Sequence, residues 1–552
     1  MNKWIFTFSL ISFFLIQTLS AQEAIPKSVQ KHIKKASADQ IRSHIAYLAD
    51  DKLKGRLPGT PEYKMAIEYV EQQLKKMGIR PAGEEGTYRQ AVTVRTTSNV
   101  AEKSSMSLHQ GSKKVALEAG KDYVFVADPN RTRSSVQAGV VFAGYGISAP
   151  ELGHDDYDDI DAEGKIVLLL WGVPDGKFGS SENAHFGNFR SKFEMANDHG
   201  AVGVIILSPP VIGDNFSRMA GRYARSSRVA VLPDGSTSGY RSNSFPGIKF
   251  VSVMSWDGAA KLLGQKGKSS RELAGMLYSP KEKVSISSSI EAVSVSEHDD
   301  FTTYNVVGVM EGRDPVLKGE YVVHSAHLDH VGIRAAVEGD SIYNGAHDNA
   351  SGSASLLEIA RLYTTLKPKD QPKRSILFLW VTAEEMGLLG SLYFGANPTV
   401  PKNKIVADIN TDMPTLIAPL LSIEPLGAEH SSLMDQVQKA ADHLKLEVMP
   451  DHMPEQVRFI RSDQYSFILQ GIPSLHIKYG LKTDDPENDL SAKIEDYTAN
   501  VYHKPSDELN DLFDFEAGRT YVQLNFLISY QVAQMEDRPK WNEDSFFKRF
   551  AE

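Results

Sequence analysis

The chain has 552 residues, 41% hydrophobic and 24% charged, which excludes a disordered protein and exceeds one ordinary core, so two or more domains are expected. A formal net charge of −10 with no overriding basic run argues against nucleic acid as a partner, since phosphate contacts need lysine and arginine. Cysteine is absent, which excludes disulfides, a thiol nucleophile and thiolate metal ligands.

Lys3, the apolar stretch Trp4 to Ile16 and the small residues Ser20 and Ala21 read as a secretory signal peptide over residues 1–21. Export to the periplasm or beyond, without a stable membrane anchor, is therefore expected, because the apolar stretch is short for a membrane span. Ser37 with Gln40 predicts a capped helix through about Ala49. A second helix takes Thr60 as its cap and Pro61 as its first residue, with Met65, Ala66, Tyr69, Val70, Leu74 and Met77 on its apolar face, and Gly78 ends it. Short strands are expected over 92–125.

The texture changes between about 130 and 290. Val140 to Tyr145, the apolar run Ile166 to Trp171 and Val202 to Leu207 read as strands, with a helix around Phe193 to Asn197. Residues 208–245 are rich in Gly, Ser, Arg and Pro and are expected to be loop. The acidic stretch holding Asp155, Asp156, Asp158, Asp159 and Asp161 reads as a solvated loop. We expect 130–290 to be a domain inserted into a main one made of 22–129 and 291–538, with 539–552 as a C-terminal tail.

Beyond residue 300, strands at Tyr321–His324, Ile376–Val381, Ile405–Ile409 and Ile472–Ile477 alternate with a helix faced by Leu356, Ile359, Ala360 and Tyr363. This rhythm predicts an α/β fold, a twisted and mostly parallel sheet with helices on both faces. Ligands of such sheets collect beyond the carboxyl ends of strands. His327, Glu385 and Asp412 follow predicted strands closely, and Asp348 and His503 occupy loops. Two imidazoles and three carboxylates can hold two divalent metals if one carboxylate bridges, and Glu384, beside Glu385, can act as a base. Each residue alone has a structural reading: Asp348 as a helix N-cap, or one of the paired glutamates as an acid at a helix N-terminus. In His327-Leu328-Asp329 an extended backbone points residues 327 and 329 the same way, so Asp329 can support the imidazole. Competing signatures are missing. There is no His-Glu-x-x-His and no Gly-x-Ser-x-Gly, and Gly267-Lys268-Ser269 lacks an opening glycine because position 262 is Leu262.

These segments in this order, with Lys54-Gly55-Arg56-Leu57-Pro58-Gly59-Thr60, Arg461-Ser462-Asp463 and Gly471-Ile472-Pro473, resemble the co-catalytic zinc exopeptidases of the aminopeptidase S and aminopeptidase Y family. Glutamate carboxypeptidase and the transferrin receptor are more distant relatives. The resemblance runs from about residue 37 to 535, and block 130–290 is similar to the protease-associated domain often inserted in these enzymes. It implies two divalent metal ions, zinc by preference: one on His327, Asp348 and Asp412, the other on Asp348, Glu385 and His503. It implies Glu384 as general base and Asp329 as support. The expected reaction is removal of N-terminal residues from a peptide or protein substrate by an activated water. Tyr479 is a candidate oxyanion donor, and Arg458 and Arg461 are candidates for a substrate carboxylate if the enzyme is instead a carboxypeptidase. A non-catalytic binding protein and a glutaminyl cyclase-like enzyme are the other readings. Two positions depart from the pattern: Gln464 stands where relatives commonly have histidine, and His347 is a possible stray donor.

Overall fold

Strand Ser375–Val381 is apolar throughout because both of its faces are covered. Ile376, Phe378 and Trp380 enter one buried cluster, and Leu377, Leu379 and Val381 enter another on the opposite face. The chain is described by a computed structural model over residues 25–223, 226–240, 242–279, 284–414, 417–485 and 489–551. The predicted signal peptide lies outside the described residues. No helix among the described residues is long and apolar enough to cross a membrane.

The central sheet is parallel at its heart. Tyr321–His327 pairs in parallel with Ser375–Val381 on one side and Ile405–Asn410 on the other, and Ile405–Asn410 pairs in parallel with Ser474–Tyr479. Antiparallel strands flank this core: Ser289–Met310 beside Ser375–Val381, and Ser422–Leu426 beside Ser474–Tyr479. Helices Ala38–Leu48, Pro61–Met77, Gly352–Thr364, Leu433–Leu444 and Phe515–Gln534 contribute to one apolar cluster. Leu389–Ala396 and Gln464–Ile468 contribute Phe394 and Phe467 to the other, so both faces carry helices.

The cap signals hold in detail. Ser37 accepts from the Gln40 amide, Thr60 accepts from the Tyr63 amide, and Gly78 closes its helix at φ 71°. The buried face of that second helix is Tyr63, Ala66, Ile67, Val70 and Leu74. Met65 lies outside it, 36% exposed.

A second core gathers residues from Met106 to Ala292. Its strands Ile166–Leu169, Gly203–Leu207 and Val251–Met254 run parallel, and Tyr123–Val126 closes one edge antiparallel. The expectation of loop over 208–245 is overturned in part. Phe216–Tyr223 is helical, and Ser227–Val231 pairs antiparallel with Arg89–Asn99. The Val229-Ala230 stretch finds burial by adding to an existing sheet edge, which composition alone does not reveal. The acidic stretch is a solvated loop at Asp158, Asp159 and Asp161, which are exposed, and is tied to the fold at Asp156. The Asp156 carboxylate accepts from the Tyr145 and Ile147 amides at 3.0 and 3.1 Å, and Asp161 pairs with Lys165 at 2.6 Å.

Strand Ser289–Met310, 22 residues long, belongs to both cores. Ile290 and Ala292 pack in the second core, and Val306 and Val307 in the central sheet. A third apolar cluster joins the two bodies: Ala184 and Phe186 meet Phe459, Ile460 and Tyr465, with Phe546 and Phe547 wedged among them.

Candidate metal centre

The carboxyl ends of the parallel strands deliver the candidate residues to one place. His327 ends its strand; Glu384 and Glu385 follow Val381, and Asp412 follows Asn410. Asp348 lies in the turn before helix Gly352–Thr364, and His503 comes from the loop after helix Leu490–Asn500. Two donor groups form, each with ligand atoms within 4.8 Å of one another: His327, Asp348 and Asp412, and His330, Asp348, Glu385 and His503. Asp348 is common to both. His327 Nε2 stands 3.4 Å from Asp348 Oδ1 and 3.3 Å from Asp412 Oδ1. His503 Nε2 stands 3.0 Å from Asp348 Oδ2 and 3.2 Å from Glu385 Oε2. All five sequence-derived ligand candidates therefore converge.

His330 joins them unannounced. Its Nδ1 is 2.7 Å from Glu385 Oε1, yet neither atom makes a hydrogen bond of good geometry, and His330 is fully buried. Orphaned buried donors and acceptors facing one another are what a cation would satisfy. The set is nitrogen and oxygen only, which suits zinc among divalent ions.

Electrostatics argue the same way. Burial opposes charge on His327, but Glu384, Asp348 and Asp412 outweigh it and hold the imidazole well above its ordinary range. Burial likewise opposes His503, and hydrogen bonds to Asp348 and Glu385 lift it to about 10. Burial, then repulsion from Glu385, Asp463 and Asp412 over the pull of His327, drives Glu384 well above the usual carboxylate range. The crowded acids are thus balanced by protons on the imidazole nitrogens that would coordinate a metal.

Three groups fix the loops that bear these residues. The Asp329 carboxylate accepts from the Glu384 and Glu385 amides at 3.1 and 3.3 Å. The sequence reading had this carboxylate behind His327. It is instead the Asp329 backbone carbonyl that lies 3.2 Å from His327 Nδ1, because the carboxylate is taken by the two amides. Asp507 does the same for the bridging residue, accepting from the His347 and Asp348 amides at 2.9 and 3.0 Å. Arg56 is fully buried and donates to four backbone carbonyls, those of Leu48, Leu328, Asn344 and Gly345, at 2.5 to 3.0 Å. It staples the 328–330 turn to the turn that carries Asp348. Left-handed backbone concentrates here: Ala383, Met413 and His503 have φ of 54°, 49° and 55°. Such strain persists only where the surroundings over-determine it. Gly345, at φ 60°, is required, since a Cβ there would meet the Asp348 carbonyl at 2.2 Å and the His330 ring at 2.5 Å.

The remaining candidates sort by contact. Arg458 is held by Glu424 at 2.5 Å and by Asp451, so its charge is spent within the protein. Gln464 is buried and bonds Asn410 and the Phe459 carbonyl, which makes its side chain structural. The His347 ring turns to the Pro414 carbonyl, away from the donors. A cleft of about 750 Å³ opens from Asp412 and is lined by Arg461, Lys478, Tyr479, Tyr497 and Tyr502, so Tyr479 and Arg461 flank the centre. Tyr502 stacks on His503 with ring centroids 3.9 Å apart. Sequence reasoning missed His330, Asp507 and the role of Arg56. The one signal available was their place beside motifs already singled out.

Residues 305–522 match the family model described as Peptidase family M28. Over 230 residues the chain is 31% identical to the probable leucine aminopeptidase 2 of Aspergillus oryzae, covering 39% of this chain and 42% of that protein. It is 26% identical over 334 residues to Aminopeptidase Y of Saccharomyces cerevisiae, 56% of each chain. The matches thus span about half the length of these curated relatives. Among solved structures, an aminopeptidase from Aneurinibacillus sp. strain AM-1 aligns over 92% of this chain and 97% of its own at 21% identity and a TM-score of 0.47. All the candidate metal-donor side chains lie inside residues 305–522, the segment that matches the model of Peptidase family M28.

Proposed function

We propose that the protein is an exported zinc-dependent exopeptidase, an aminopeptidase that removes N-terminal residues from peptides. The observation that carries this reading is the sharing of Asp348 between two donor groups. His327 and Asp412 would complete one zinc site, Glu385 and His503 the other, with Asp348 bridging. Bound there, zinc would supply Lewis acidity, lowering the pKa of water and polarising the scissile carbonyl. Glu384 takes the proton from the attacking water and passes it to the departing amine, a role suited to a carboxylate whose proton affinity burial and then its acidic neighbours raise. Asp329 and Asp507 hold the ligand loops through their amides, so the donors need little rearrangement. The block about 130–290 would shape the approach to the site, since its helix Ser180–Gly187 packs against the 458–460 turn beside the cleft.

The test combines metal analysis with cleavage of Leu-p-nitroanilide and of N-acetylated peptides. The expected result is two zinc ions per chain and hydrolysis only where the α-amine is free. Glu384→Gln should retain zinc and lose turnover by about a hundredfold or more. Cleavage of N-blocked peptides from the C-terminus would shift the reading to a carboxypeptidase. A protein that stays metal-free after zinc is supplied would revive the binding-protein reading.

A further inference from the structure

The protein is acidic overall, yet the cleft beside Asp412 is not. Among its described lining residues Asp412 is the sole carboxylate, and that residue faces the donor group. The cations are Arg458, Arg461 and Lys478. Glu424 and Asp451 neutralise Arg458. The other two differ. Lys478 Nζ donates to the Asp412 backbone carbonyl at 2.9 Å, leaving two of its three donors. Among the described residues the Arg461 guanidinium reaches only the Tyr502 hydroxyl, at 3.5 Å, and the residue is exposed. No carboxylate among the described residues lies within ion-pair distance of either cation. Lys478 thus presents charge directly behind a metal ligand, and Arg461 presents it at the mouth of the same cleft.

Resting on the peptidase reading, we propose that this cleft selects a substrate carboxylate next to the scissile bond. Two cations with no described carboxylate within ion-pair distance, although Asp412 lies near Lys478, stand against low-dielectric walls that include Tyr479 and Tyr497 and attract an anion more strongly than the same charges in water. An arginine fork also gives the carboxylate a bidentate partner. The carboxylate has two sources: an acidic side chain on the N-terminal residue, or the free C-terminus of a short peptide. A basic N-terminal residue is disfavoured by the same charges.

The experiment uses the zinc-loaded full chain and two substrate pairs. Glu- against Leu-p-nitroanilide reports the side chain. Leu-Ala against Leu-Ala-amide reports the C-terminus. At least one anionic member should exceed its neutral partner by about tenfold in kcat/KM. Arg461→Ala should remove most of that preference through KM, with kcat/KM for the neutral member changed less than about threefold. Arg461→Lys should keep part of it, and Arg461→Glu should turn the preference toward Lys-p-nitroanilide. Equal rates within both pairs would overturn the selection, and a preference untouched in Arg461→Ala and in Lys478→Met would overturn its assignment to these residues. Absence of hydrolysis of every substrate would instead sink the peptidase reading.

Discussion

Replacing Arg56 with Met removes a group that touches no substrate, yet it should cripple the centre. Its guanidinium is wholly enclosed and serves carbonyls at Leu48, Leu328, Asn344 and Gly345. Methionine fills much of the volume but offers nothing to those four acceptors. At the low end of the cost of a stranded buried acceptor, ~1 kcal/mol each, the variant loses about 4 kcal/mol. That is a large share of the 5–15 kcal/mol that typically separates folded from unfolded protein. Part is recovered, because a buried cation no longer has to be kept from water. Urea unfolding of the chelated protein, followed by tryptophan fluorescence, measures the loss. Arg56→Lys keeps the charge and at most three donors, so it should recover about half of it. A zinc titration reads the second consequence: the turn holding Asp348 is no longer tied to the turn behind His327, so affinity should fall by about tenfold or more. An Arg56→Met protein that unfolds within about 1 kcal/mol of the parent and takes up zinc normally would refute the argument.

Other expectations follow from the same geometry. In the chelated protein, His503 is raised to about 10 by Asp348 and Glu385, so its pairing stabilises fully below the unfolded value of about 6.5 and is lost as pH rises through 10. The melting temperature of the chelated protein should therefore fall between pH 7 and 10 by more than that of a His503→Gln variant. Zinc must displace the protons on His327 and His503, so calorimetry at pH 7 in buffers of different ionisation enthalpy should report release of about two protons per chain. No release would show that the imidazoles are already neutral. Asp507→Asn leaves one of two buried amides facing an NH2 group, which should cost about 1–3 kcal/mol and weaken zinc binding without changing donor identity. Gly345→Ala forces a Cβ against the Asp348 carbonyl and the His330 ring, so it should yield a folded protein with less than half the parent's bound zinc, measured by metal analysis.

The convergent side chains were legible in the sequence as candidates because they sit where β/α folds place function. His327, Glu385 and Asp412 follow apolar strands, and apolar runs are easy to read. The supporting groups were not legible. Asp507 and Asp329 act on backbone amides, Arg56 acts on backbone carbonyls, and any residue presents those groups. Their partners lie 159, 55 and 272 positions away in the clearest cases, so no local spacing betrays them. His330 carries no separate signal, because it stands three residues beyond His327 in a segment that already supplies an imidazole. Arg458 shows the opposite error. As a bare letter it suggested a substrate anchor, and only the fold reveals Glu424 and Asp451 already on it. The strand Ser227–Val231 escaped notice because the stretch 208–245 around it has the composition of a loop, and it gains order from the edge it joins.

The strand that begins at Ser289 and ends at Met310 has a mechanical consequence. One continuous beam is shared by both bodies, so an unbroken run of paired backbone joins the two sheets. Excising the smaller body would strip the beam of its partners Ser105–Gln110 and Arg133–Phe142 and leave a bare edge, inviting aggregation in place of a trimmed enzyme.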